Sequence, residues 1–158
     1  HLWDIRPTVA EASRLLKDGG VFYSEEDPNV YFWESVRSLD VSDEAMKNCY
    51  SDLLKRELSA VLEIHTAIAS VRDIVPKVVQ MAEYQKMILG GMRAEEIEAI
   101  FYQTGFSKVN IEYYWFLEQA KVMHQSSPNA AQAVESYLRS VLPLSKHLFK
   151  YFRVEAWK

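Results

Sequence analysis

Residues 42–75 read SDEAMKNCYSDLLKRELSAVLEIHTAIASVRDIV, a run with neither glycine nor proline. Ser42 stands where a helix N-cap stands, and Asp43 and Glu44 suit the positive end of a helix dipole. Tyr50, Leu54, Glu57, Val61, Ile64, Ile68, Val71 and Val75 alternate spacings of four and three, the seam of bundle packing. At 1.5 Å per residue the run predicts a rod about 50 Å long. The expected fold is therefore all-α, a helical bundle in which this long helix (about 42–75) organises five to seven others.

Pro76 bends or ends the rod, and apolar positions from Val78 to Leu89 continue a second arm to Gly90-Gly91. Upstream, Pro7 suits the first turn of a helix running to about Lys17, stopped by Asp18-Gly19-Gly20. Val21-Phe22-Tyr23 is a short β-prone run, and Ser24-Glu25-Glu26-Asp27-Pro28 reads as a turn. Asp27 or Asn29 then caps a helix carrying Val30, Tyr31, Trp33, Val36 and Leu39 inward, ending near Asp40.

Downstream, 94–104 predicts a helix with Ile97, Ile100 and Phe101 on one face, closed by Gly105. Ser107 opens a second, largely aromatic helix through Leu117. After the linker Ser126-Ser127-Pro128-Asn129, a helix carries Ala133, Tyr137, Leu138 and Val141 inward. Pro143 kinks it, and helical spacing resumes from Leu144 to Phe152. The final residues alternate in polarity, so 153–157 are expected to pair with 21–23 as a two-stranded clip.

The 158 residues suit a single helical domain, 1–158, and a composition of 49% hydrophobic and 25% charged residues excludes a disordered or collagen-like chain. Apolar stretches are too short and too often interrupted to span a bilayer, so no membrane partner is expected. Lone Cys49 has no internal partner for a disulfide, which fits a reducing, cytoplasmic setting without a signal peptide.

Local constellations for chemistry are scarce. His1, His65, His124 and His147 include no pair at ligand spacing, so no metal is expected. Gly19-Gly20 and Gly90-Gly91 lack the spacing of phosphate-binding loops, and no cofactor is expected. Cys49 and His65 lie about 24 Å apart along one helix, too far for a nucleophile–base pair. No catalytic residue is assigned. Glu57 is the exception on the apolar seam. With His65 it forms a candidate buried polar site: either a register-fixing ion pair, or a group beside a ligand cavity.

Two features point toward nucleic acid. The segment 94–117, with its Thr104-Gly105-Phe106-Ser107 turn, has the outline of a helix-turn-helix, offering Ser107, Lys108, Asn110 and Glu112 to bases. The bulky Phe101 and the acidic flank depart from that pattern, and an αα-hairpin inside a bundle is the plainer reading. Residues 139–158 hold five basic and one acidic side chain, against 13 and 21 in 1–138. Lys146, Lys150 and Arg153 alternate there with Phe149, Tyr151, Phe152 and Trp157, a pattern that suits phosphates and stacked bases. The same pattern also suits a solvated helix with its aromatics inward. The candidate nucleic-acid residues are thus Ser107, Lys108, Asn110, Lys146, Lys150 and Arg153.

A long rod and abundant aromatics leave apolar surface that one small chain does not cover. The leading expectation is a non-catalytic protein-interaction or scaffold module, self-associating as a homodimer through helix packing. Nucleic-acid binding, and a small-ligand sensor or enzyme with a cavity near Glu57, are the alternatives.

Overall fold

A computed structural model describes residues 4–39, 44, 48, 50–52, 54, 55 and 89–158. Along the chain run α1 (Arg6–Leu15), β1 (Val21–Pro28), α2 (Val30–Arg37), α3 (Ala94–Gln103), β2 (Lys108–Phe116), α4 (Gln119–Gln125), α5 (Pro128–Ser140), a 3-10 turn (Lys146–Leu148) and β3 (Phe149–Trp157). The fold is mixed α/β, not all-α: among the described residues, the helices α1 to α5 surround an antiparallel sheet ordered β1-β3-β2.

Strand β3 is central, and its side chains explain why. Phe152, Val154 and Ala156 are buried at alternate positions, the period of two that separates a strand's faces. Strand β2 matches it residue for residue: Val109 opposes Ala156, Ile111 opposes Val154 and Tyr113 opposes Phe152. The intervening pairs Lys108–Trp157, Asn110–Glu155 and Glu112–Arg153 point to the other face and complement one another chemically. A slip of one residue would set apolar side chains against charges, so this register is strongly specified.

On the other side of β3, Val21 pairs with Trp157 and Ser24 with Val154. The expected pairing of 21–23 with 153–157 is present, as part of a three-stranded sheet instead of an isolated clip. The expected turn at 24–28 is strand. Its register advances by one residue between Ser24 and Asp27, a β-bulge that sets Asp27 opposite inward-facing Phe152. A further segment touches the sheet edge through a single parallel bridge, Asn29 to Met92. Gly91 permits this approach: its φ is +105°, and a Cβ there would lie 2.8 Å from the Val30 backbone.

Helices α1 and α3 cover the inner face, where Val9, Ile97, Phe101 and Phe106 pack on Phe152, Val154 and Ala156. Phe101 meets Phe22 and Phe106 at centroid distances of 5.1 and 5.0 Å. Under α2, Phe32, Trp33 and Val36 form a second cluster with Leu117 and Tyr151; Phe116, Ala131 and Phe149 form a third, joined by Val122 of α4 and Leu138 of α5.

Where capping chemistry is local, helix starts follow expectation. Pro7 lies in the first turn of α1, and Ser127 caps α5 by accepting from the Ala130 amide. Asn29 caps α2 by accepting from the Tyr31 amide at 3.2 Å. It is fully buried, and its Nδ2 also donates to the carbonyls of Lys146 and Phe149, both at 2.7 Å. One amide thus ties α2 to the start of β3.

Two expected helices take other forms and a third is interrupted. The rod over 42–75 falls largely outside the described residues; within its span residues 44, 48, 52, 54 and 55 are helical but Tyr50 and Ser51 are not, and Tyr50 and Leu54 pack on the α2 cluster. Among the described residues the longest helix is α5, with 13 residues, and the organiser is the sheet. The second helix of the presumed helix-turn-helix is β2, since Lys108 to Tyr113 alternate polar and apolar and β-branched and aromatic side chains favour the pleated surface. Helix 144–152 is replaced by a turn with a cis Leu142–Pro143 bond, the 3-10 turn and β3. Helix α5 is also rotated from its expected phase: Ala131 and Leu138 face inward, whereas Ala133 and Tyr137 are exposed.

Candidate functional site

The six candidate nucleic-acid residues are dispersed and mostly engaged. Ser107 donates its hydroxyl to the Trp157 carbonyl at 3.1 Å, and the Lys108 ammonium lies 4.5 Å above the Trp157 ring. Asn110 Nδ2 donates to Glu155 at 3.3 Å, and Arg153 Nε donates to Glu112 at 2.6 Å. Lys146 lies instead against α2 and α3, 3.6 Å from Glu95 and 3.3 Å from the centre of the Tyr31 ring. Lys150 extends toward the Phe32 ring, 6.0 Å from its centroid.

The other cations of 139–158 are similarly occupied. Arg139 of α5 pairs with Glu135 at 2.7 Å and also with Glu112. Lys158 donates to the Ser13 and Leu16 carbonyls at the end of α1, where a cation meets the negative end of the helix dipole. The charge asymmetry seen in sequence is therefore largely cancelled within the chain, and Glu112 and Glu155 are interleaved with Lys108 and Arg153 across the outer sheet face. Glu57 and His65 lie outside the described residues. Among the described residues no cluster of His, Cys, Asp and Glu is suited to a metal, and no helix is long and apolar enough to cross a membrane.

Two other features stand out. The first is apolar surface at the end of α5. Val134 and Tyr137 lie one turn apart and are 38% and 66% exposed; Leu142 and Leu144, in the turn that follows, are 37% and 80% exposed. That turn folds back on the helix, with the Leu144 amide bonded to Val141 and the Ser145 hydroxyl to the Leu138 carbonyl. Alternating clusters in the sequence gave no sign of this surface, because Tyr137 and Val141 fit an inward stripe equally well.

The second is a cavity of about 80 Å³ between α1, β1 and α3, walled by Ile5, Val9, Phe22 and Phe101, with Thr8, Ser24 and Asp27 as polar members. The bulge in β1 turns Asp27 inward. Burial pushes the Asp27 carboxyl up to about 6, and a 2.7 Å hydrogen bond from Ser24 opposes that shift. Ile5, Met92 and Ile97 also line an open cleft of about 670 Å³ beside Glu34 and Arg93. Near it, Tyr31 donates to Glu95 at 3.1 Å, and burial together with the negative Glu95 raises the Tyr113 phenol above its ordinary range. Sequence alone placed Asp27 in a solvated turn; the bulge that redirects it is defined only by the partner strand.

No protein-family model matches this chain, and no curated protein and no solved structure matches it.

Proposed function

We propose that this chain is a non-catalytic interaction module that pairs with a second copy of itself through the end of α5 and the turn after it. The observation that carries the reading is the exposure of Val134, Tyr137, Leu142 and Leu144 on adjoining turns. Together they expose on the order of 400 Å², within the range of the largest patch on an ordinary monomer, which is often functional.

A second copy is the occupant that the patch itself favours, because an apolar stripe is complementary to its own copy and the charges beside it cancel. Glu135 and Arg139 neutralise one another on the same helix, so the patch is flanked by balanced charge. Elsewhere the like net charge of the two copies, -4 each, opposes close approach and keeps the pair weak. A two-fold axis through the patch sets the stripe against itself, apolar on apolar. The area is below that of a permanent interface, so the pair is a weak one with a dissociation constant of about 100 µM.

Nucleic acid gains no comparable support, since Arg139, Lys146 and Arg153 already hold carboxylates and have few counterions to release. Sedimentation velocity from about 5 to about 500 µM tests the reading around that dissociation constant. The weight-average coefficient is expected to rise with concentration, and Tyr137→Glu with Leu144→Glu is expected to abolish the rise. A concentration-independent monomer across the range contradicts it.

A further inference from the structure

Independently of any self-association, we propose that the cavity beside Asp27 binds a short primary alkylammonium ion, with the Asp27 carboxylate holding the cation and Phe22 and Phe101 enclosing its aliphatic part.

Three observations lead to this ligand class. The first is the carboxylate itself. The bulge directs Asp27 into a cavity whose other described lining residues, from α1, β1, α3 and Met92, include no cation and no second titratable group. Among the described residues, the Ser24 hydroxyl donates to it at 2.7 Å. A carboxylate withdrawn from water is stabilised most by an opposite charge brought to it, and at neutral pH a group titrating near 6 still carries its charge. An anion would be repelled, and a wholly apolar ligand would leave the charge uncompensated.

The second is the aromatic wall. Phe22 and Phe101 stand 5.1 Å apart, tilted by 53°, and ring faces attract cations and pack against methylene groups.

The third is size. A cavity of about 150 Å³ accommodates benzene, so about 80 Å³ suits roughly three non-hydrogen atoms, as in ethylammonium.

Ethylammonium chloride, ethanol as its neutral counterpart, and sodium chloride at matched ionic strength provide the test on the full chain, read by NMR shifts of residues around Phe22 and Phe101. At pH 7.5 ethylammonium is expected to give a saturable shift absent with ethanol and with sodium chloride, and to weaken as pH falls below 6. Asp27→Asn is expected to weaken binding by about tenfold or more, as loss of a buried charge partner does. Thr8→Leu, which narrows the cavity and keeps the carboxylate, is expected to weaken it too and serves if Asp27→Asn fails to fold. Equal binding of ethanol, undiminished binding at pH 5 or in either variant, or no saturable shift with ethylammonium overturns the proposal.

Discussion

Arg153 and Glu112 face each other directly across the β2–β3 ladder, with Arg153 Nε donating to Glu112 Oε2 at 2.6 Å. The other oxygen of the same carboxylate is taken by Arg139 of α5, so one anion joins sheet to helix and separates two guanidiniums. Burial and the nearby Arg153 hold the Arg139 pKa below its usual value.

Removing the anion therefore costs more than removing either cation. Glu112→Gln leaves Arg139 and Arg153 adjacent, with Glu135 on Arg139 alone to offset them, and is expected to destabilise by about 1–3 kcal/mol, whereas Arg153→Ala costs about half that, because the pair is partly exposed and screened. Urea unfolding of the two variants at low and high salt gives the order; equal losses would show that Glu112 has no shared role.

The Asp27 carboxyl gives a pH dependence with a definite sign. Its folded value, about 6, lies above the ordinary 3.8, so between these values the folded state binds a proton that the unfolded state has released. This group's contribution to stability accordingly falls as pH rises from about 4 to about 6 and is level above that, by about 3 kcal/mol at most. Asp27→Asn is expected to remove that slope and to be more stable than the parent at pH 7. The measurement is the difference in unfolding free energy between the two proteins at pH 4.5 and 7, which cancels the titration of other carboxylates. A constant difference rules out a raised Asp27.

Asn29 separates two roles that one side chain performs. Asn29→Asp keeps the acceptor that caps α2 but cannot donate to the Lys146 and Phe149 carbonyls, and it buries a charge. It is expected to lose about 3 kcal/mol or more, and Asn29→Ser, which caps and donates once, to lose less. Thermal unfolding of both variants decides; equal melting temperatures would mean that the cap alone matters.

How much of this was legible in the sequence depends on the range of the interaction. Pro7, Asn29 and Ser127 announced helix starts because a cap needs only its own first turn. The Val21–Tyr23 pairing was legible because 153–157 alternates without interruption. Strand β2 was not, because the apolar run Tyr113–Leu117 hides the alternation of Lys108 to Tyr113, and a short apolar run fits either period. Strand β3 was read as helix up to Phe152 because Leu144, Leu148 and Phe152 also repeat every four residues. Only the partner across the ladder distinguishes the two. The candidate sites share this limit. Lys146 and Arg153 were visible as charges, but Glu95 and Glu112, which neutralise them, come from distant parts of the chain.

Gly91 offers a check on the Asn29–Met92 bridge at the sheet edge. Its positive φ and the 2.8 Å approach to Val30 leave no room for a Cβ, so Gly91→Ala is expected to cost about 2 kcal/mol or more, a larger loss than a glycine in open space would incur. Gly19→Ala, at φ +78° with nothing within 4 Å, is the matched control for backbone strain alone. Equal losses would show that the Met92 bridge adds nothing.

The account turns most on the exposed end of α5. Isotope-filtered NOE spectroscopy on a mixture of labelled and unlabelled chains, at a concentration well above the expected dissociation constant, reports contacts between copies alone. Cross-peaks joining the Tyr137 ring of one copy to the Val134, Leu142 or Leu144 methyls of another are the predicted result. Intermolecular peaks confined to a different surface, or none at all, would contradict it.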